Sequence, residues 1–181
     1  MSKPNAFQVM MNSSSQSSSD KKTKGGYSII KGSDITQEES CYLLQFDGLA
    51  VPNPGISTGG AVIFSPVSRN LVCERGEFID FATNNQAEYT GLLIGLQSAV
   101  NIGIRQILIE GDSQLVILQT EGKWKVKNEA LKSFHTQVKD LLDKFEFVAI
   151  RHIYRENNKY ADKITNDVLK SRKSYFKHMG V

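Results

Sequence analysis

The chain has 181 residues, 40% of them hydrophobic and 23% charged, which suits one globular domain, or one domain with a tail, and not a disordered polyelectrolyte. No run approaches the roughly 20 apolar residues of a membrane span. Two cysteines, Cys41 and Cys73, with no Cys-x-x-Cys pair, exclude a disulfide scaffold, argue against a structural zinc site and suit a reducing compartment. The net charge of +3 permits nucleic-acid binding without demanding it.

Residues 1–40 hold ten serines, six of them in Ser13–Ser15 and Ser17–Ser19, followed by Lys21, Lys22, Lys24 and Gly25-Gly26. Such a stretch buries too little apolar surface to offset its ordering entropy, so it reads as a disordered Ser-rich tail. It lacks the apolar core of a secretory signal. Together with reduced thiols this places the protein in the cytoplasm or nucleus, not outside the cell. Phe7, Val9, Met10 and Met11 form an apolar island, either an idle tail end or a short docking motif for a protein partner.

From Cys41 onward the hydrophobic period alternates. Cys41–Asp47 reads as a strand, and Pro52–Gly55 with Thr58-Gly59-Gly60 as a loop. Gly60–Ser65 and Leu71–Ile79 are two more strands. Asn85–Ile102 has helical spacing through Tyr89, Leu92, Leu93, Leu96, Ala99 and Val100. Gln106–Glu110 is a short strand, Ser113–Thr120 and Asn128–Phe145 are helices, Glu146–His152 is a fifth strand and Asn158–Leu169 a last helix. The order βββαβααβα predicts an α/β fold, with a mixed five-stranded sheet flanked by helices, an antiparallel meander first and parallel additions later. The domain is set at 41–170, with a basic C-terminal tail at 171–181.

Four acids each have an ordinary explanation. Asp47-Gly48 is a good turn, Asn85-x-x-Glu88 a capping-box variant, Asp112 a helix N-cap and Asp162 a solvated helical charge. Their joint placement says more. Asp47 and Asp112 end strands that would neighbour each other, and Glu88 and Asp162 begin helices. Converging hard oxygen ligands suit magnesium. A pair of divalent ions there suits in-line attack on a phosphodiester.

The segments Phe46-Asp47-Gly48, Asn53-Pro54-Gly55, Thr83-Asn84-Asn85-Gln86-Ala87-Glu88, Gly111-Asp112-Ser113-Gln114-Leu115-Val116 and Asn157-Asn158-Lys159-Tyr160-Ala161-Asp162 together resemble ribonuclease H type 1. They stand in the right order across 41–170. The resemblance implies a ribonuclease H-like fold and a metal-dependent endonuclease that cuts the RNA strand of RNA–DNA hybrids, leaving 5′-phosphate and 3′-hydroxyl ends. It implies Asp47, Glu88, Asp112 and Asp162 as catalytic metal ligands, holding two Mg²⁺ ions with Mn²⁺ as a substitute. A monomer with no membrane association is expected.

Two departures stand out. The basic helix and loop of many bacterial members is missing, since Gln119–Asn128 runs straight into the next helix, as in compact archaeal-like members. Lys123-Trp124-Lys125-Val126-Lys127 would supply part of that grip, with Trp124 on the DNA strand (packing being the alternative) and the lysines on phosphates (a solvated face being the alternative). The loop histidine of many members has only His152 as a candidate, ten residues before Asp162; a residue at the rim of the site is the blander alternative. Asn84, Asn85 and Gln114 would contact the minor groove, where the 2′-hydroxyl marks RNA. The cations Lys170, Arg172, Lys173 and Lys177 would add nonspecific affinity. Competing functions are a non-catalytic hybrid-binding module and another nuclease on the same fold.

Overall fold

A computed structural model describes residues 28–32 and 40–180. The strands are β1 (Ser28–Lys31), β2 (Tyr42–Val51), β3 (Gly55–Phe64), β4 (Leu71–Ala82), β5 (Gln106–Gly111), β6 (Phe147–His152) and β7 (Tyr175–His178). The helices are α1 (Asn84–Asn101), α2 (Gln114–Thr120), α3 (Glu129–Leu142) and α4 (Lys159–Ser171), with a short 3₁₀ turn at Arg155–Asn157. All the strands join one sheet in the order β1-β6-β5-β2-β3-β4-β7. As expected, β2-β3-β4 is an antiparallel meander, and β5 and β6 are added in parallel.

One face of the sheet carries the main core. Leu44, Phe46, Ile107 and Ile109 meet Tyr89, Leu92 and Leu96 of α1, and Val138 and Leu142 of α3 close the layer behind them. Each such side chain, fully buried, contributes roughly 1.5–3 kcal/mol. On the other face α4 packs Ile164 and Val168 against Val62. Among the described residues, no helix is long and apolar enough to cross a membrane.

The sheet has seven strands where five were expected. The extra two are edge strands of four residues each, drawn from segments that read as tails. So short a run shows no period, and its partners lie far away in sequence: Ser28 pairs with Ile150 and His178 with Cys73. Both strands nevertheless bury apolar groups. Ile30 packs on the main core, Ile29 against Leu108 and Phe147, and Tyr175 against the α4 cluster. The serine run, the lysines before it meets β1 and the Phe7–Met11 island lie outside the described residues.

A second correction concerns Thr58-Gly59-Gly60, which is strand and not loop. β2 and β3 pair without interruption from Leu43↔Phe64 to Val51↔Ile56, leaving only Pro52-Asn53-Pro54 to turn the chain. Gly59 marks a close approach: a Cβ there would stand 2.8 Å from the backbone nitrogen of Gly91. The longer β2 also moves Asp47 from a strand end to mid-strand.

Candidate active site

β2 and β5 run in parallel, with Phe46 opposite Gly111, so the next residues, Asp47 within β2 and Asp112 just past the end of β5, stand side by side. Glu88 reaches them from α1. That helix is capped by Thr83, whose Oγ1 accepts from the Gln86 backbone (3.3 Å) while Gln86 Oε1 accepts from the Thr83 backbone (2.8 Å). The capping box therefore lies two residues before Asn85-x-x-Glu88, and Glu88 has no capping role. Gly48 admits the helix here, because a Cβ would stand 2.0 Å from the Glu88 nitrogen.

Asp47, Glu88 and Asp112 each place a carboxylate oxygen within 4.8 Å of the others. The first two are buried, and Glu88 Oε2 has no hydrogen-bond partner. Burial, and then the charges of Asp112 and Asp162, push Asp47 up to about 6, against the hydroxyl of Thr165 and the backbone of Gly48. Burial, followed by Asp47 and Asp112, pushes Glu88 up to about 9, with Arg155 in opposition. Three carboxylates so crowded, with an orphaned oxygen among them, form a donor set fitted to a divalent cation.

The fourth acid is not in that triad. Asp162, early in α4, accepts from Arg155 Nη2 at 2.7 Å and from Asn166 Nδ2 at 3.2 Å, although its charge is felt at Asp47. Supporting residues went unassigned in the sequence. Asn158, fully buried, donates its amide to Asp112 Oδ1 and to the Phe46 carbonyl, both at 2.8 Å. Thr165 donates to Asp47 Oδ2 at 3.0 Å. Gln45 Nε2 donates to the buried Glu110 (2.8 Å) and to the Asn157 carbonyl (3.3 Å), tying β2 and β5 to the turn that leads to Asn158. Asn158 and Thr165 flank Asp162 at −4 and +3, a helical spacing that could have flagged both.

Asn84, Asn85 and Gln114 stand at the N-terminal ends of α1 and α2, beside the triad. Asn84 is held by the Ala50 backbone at 3.1 Å, while Asn85 and Gln114 are exposed. Lys123 is tied to Glu121 and to Ser28 Oγ, both at 3.2 Å. Lys125 and Lys127 are exposed. Trp124 is 48% exposed and lines an open surface groove with Lys125, Lys132 and His135. His152, exposed at the end of β6, has Nε2 3.1 Å from the Asp112 carbonyl oxygen. Lys170, Arg172 and Lys173 gather at the end of α4, with Lys170 roughly 12 Å along the helix axis from Asp162. Lys177 is engaged by Glu74 at 3.6 Å on β7.

A family model described as reverse transcriptase-like matches residues 45–168. The crystal structure of RNase H1 from Halobacterium salinarum superposes with a TM-score of 0.69 at 36% identity, over 72% of this chain and 98% of that one. The chain belongs to type 1 ribonuclease H. Its passage from α2 to α3 is short, residues 121–128, as expected of the compact members of that family. The N-terminal RNase H domain of a Mycobacterium tuberculosis protein superposes at 0.70 and 34% identity, over 73% and 95% of the two chains. LC11-RNase H1, solved in complex with an RNA/DNA hybrid and isolated from compost, superposes at 0.68 and 28%, over 72% and 98%. The chain spans only 35% of the full-length M. tuberculosis relative and 62% of the curated Halobacterium ribonuclease HI.

Proposed function

We propose that this ribonuclease H hydrolyses the RNA strand of RNA–DNA hybrids with two Mg²⁺ ions, Mn²⁺ substituting, and leaves 5′-phosphate and 3′-hydroxyl ends. The carboxylate triad, two of its members buried and Glu88 Oε2 unpartnered, carries the proposal. Asp47, Glu88 and Asp112 would hold the ions, joined by Asp162 when Arg155 releases it. Bound there, divalent ions supply an activated water and charge stabilisation for the leaving oxygen.

The chain's own residues prepare that chemistry. Asn158 and Thr165 fix the oxygens of Asp112 and Asp47 that they touch, which leaves the other oxygens for ligation. Asn84, Asn85 and Gln114 line the approach with amides that suit the minor groove and its 2′-hydroxyls. Trp124, Lys125 and Lys127, exposed beyond α2, suit the DNA strand, with Lys123 bracing their loop. His152 holds the Asp112 backbone at the rim. The relative bound to an RNA/DNA hybrid supports this substrate class.

The test is a labelled RNA–DNA hybrid beside duplex DNA and duplex RNA, in Mg²⁺, Mn²⁺ or EDTA. Cleavage should be confined to the RNA of the hybrid, vanish in EDTA and be abolished by Asp47→Asn or Asp112→Asn. Hybrid binding without metal-dependent cutting would make the domain a binding module. Cutting of duplex DNA would make it another nuclease of this fold.

A further inference from the structure

Gln45, Glu110 and Arg151 stand opposite one another on β2, β5 and β6. Their row precedes Asp47 and Asp112 by two residues, about 7 Å along the strands, and lies on the same face of the sheet. Glu110 is thus a further buried carboxylate one pleat from the triad, but both of its oxygens are engaged. Arg151 Nε donates to Oε1 at 2.7 Å and Gln45 Nε2 to Oε2 at 2.8 Å. Taking such a charge pair out of water yields little net stability, so stability alone does not account for the row. Gln45 gives the second hydrogen of its amide to the Asn157 carbonyl at 3.3 Å. The next residue, Phe46, offers its carbonyl to the Asn158 side-chain amide at 2.8 Å, and that amide also donates to Asp112 Oδ1 at 2.8 Å. Consecutive residues of β2 therefore clamp the chain at Asn157 and Asn158.

The 3₁₀ turn that leads into this clamp has no buried side chain, so apolar packing does not position it. Its own backbone bonds, from Asn157 to the Tyr154 carbonyl and from Asn158 to the Arg155 carbonyl, shape the turn without tying it to the sheet. The hydrogen bonds to β2 supply that tie. We infer that Gln45, oriented by the Glu110–Arg151 pair, is a positioning residue of the metal site: it fixes the pose of Asn158 and, through it, the carboxylate of Asp112. This rests on the reading of the triad as a cation site. Removing an outer group that orients a ligand carboxylate commonly costs roughly 10–100-fold in metal affinity. Gln45 acts one link further out than Asn158, which places its effect at the lower end of that range.

The test uses the full chain and Mg²⁺ alone, with binding followed by isothermal titration calorimetry and by the backbone amide NMR shifts of the site. Gln45→Met keeps the length of the side chain and removes its donor. It should weaken Mg²⁺ binding about 10-fold, while thermal melts in EDTA show the fold intact. In an Asn158→Leu background the same change should weaken binding by less than about 2-fold, because the path from Gln45 to Asp112 is already cut. Gln45→Asn, its amide one methylene too short to reach both acceptors, gives the same comparison should the methionine variant fail to fold. Unaltered Mg²⁺ affinity on replacing Gln45, or an equal loss with and without Asn158, overturns the positioning role and leaves the cation site standing. Wild-type protein that binds no Mg²⁺ overturns both.

Discussion

Without metal, the carboxylate cluster should store a measurable, pH-dependent instability that Asp47→Asn relieves. An acid whose pKa is higher in the folded than in the unfolded chain keeps its proton longer when folded. Folded stability therefore falls as pH rises from the unfolded value through the folded one. For Asp47 that window runs from 3.8 to about 6, and for Glu88 from 4.5 to about 9. At about 1.36 kcal/mol per pH unit, ionising Asp47 costs about 3 kcal/mol at pH 7, and Glu88 adds a cost still growing at that pH. Asn at position 47 keeps an oxygen for the Thr165 hydroxyl, removes the Asp47 cost and lessens that of Glu88. At roughly 2–4 °C per kcal/mol for a chain of this size, the variant should melt about 6–12 °C above wild type in EDTA at pH 7. Near pH 4 the two should melt together. Mg²⁺ should raise the wild-type Tm more than the variant's, since ligation replaces repulsion. Thermal melts followed by circular dichroism at half-unit pH intervals check this. A Tm difference that does not grow between pH 4 and pH 7 would refute the electrostatic reasoning.

Asn158→Leu removes the amide from Asp112 Oδ1 and the Phe46 carbonyl; it should lower metal affinity or turnover about 10–100-fold, read as the Mg²⁺ concentration for half-maximal cleavage. Gly91→Ala would place a Cβ 2.2 Å from the Asp47 carbonyl oxygen, so denaturant titration should show a destabilisation of at least roughly 1–3 kcal/mol, and cleavage should fall as α1 is pushed off β2. His152→Ala removes the ring nitrogen that meets the Asp112 backbone; turnover should stay within a few-fold, and a drop of about 100-fold or more would make His152 a proton shuttle instead. Alanine at Lys125 and Lys127 should reduce the salt dependence of hybrid binding more than alanine at Lys123, which Glu121 and Ser28 already hold.

Local pattern was enough for the central strands and the helices, because each carries its own period: apolar residues recur at helical steps in α1 and α3, and turn residues bound the strands. The same local signals misled at Thr58-Gly59-Gly60, where glycine means helix-on-strand proximity instead of a bend. They were silent at β1 and β7, whose four residues each gain stability only from strands far away along the chain. The acids were legible as candidate ligands because five short motifs stand in one order along the chain. How those acids divide was decided by the fold. Sheet register puts Asp47 beside Asp112, and the Gly48 contact brings in Glu88. Arg155, in the 3₁₀ turn, pairs with Asp162, which lies outside the cluster of three. Hydrogen bonds from Asn158 and Thr165, and burial that lifts two carboxyl pKa values, arise only when segments distant in sequence close on one another and exclude water.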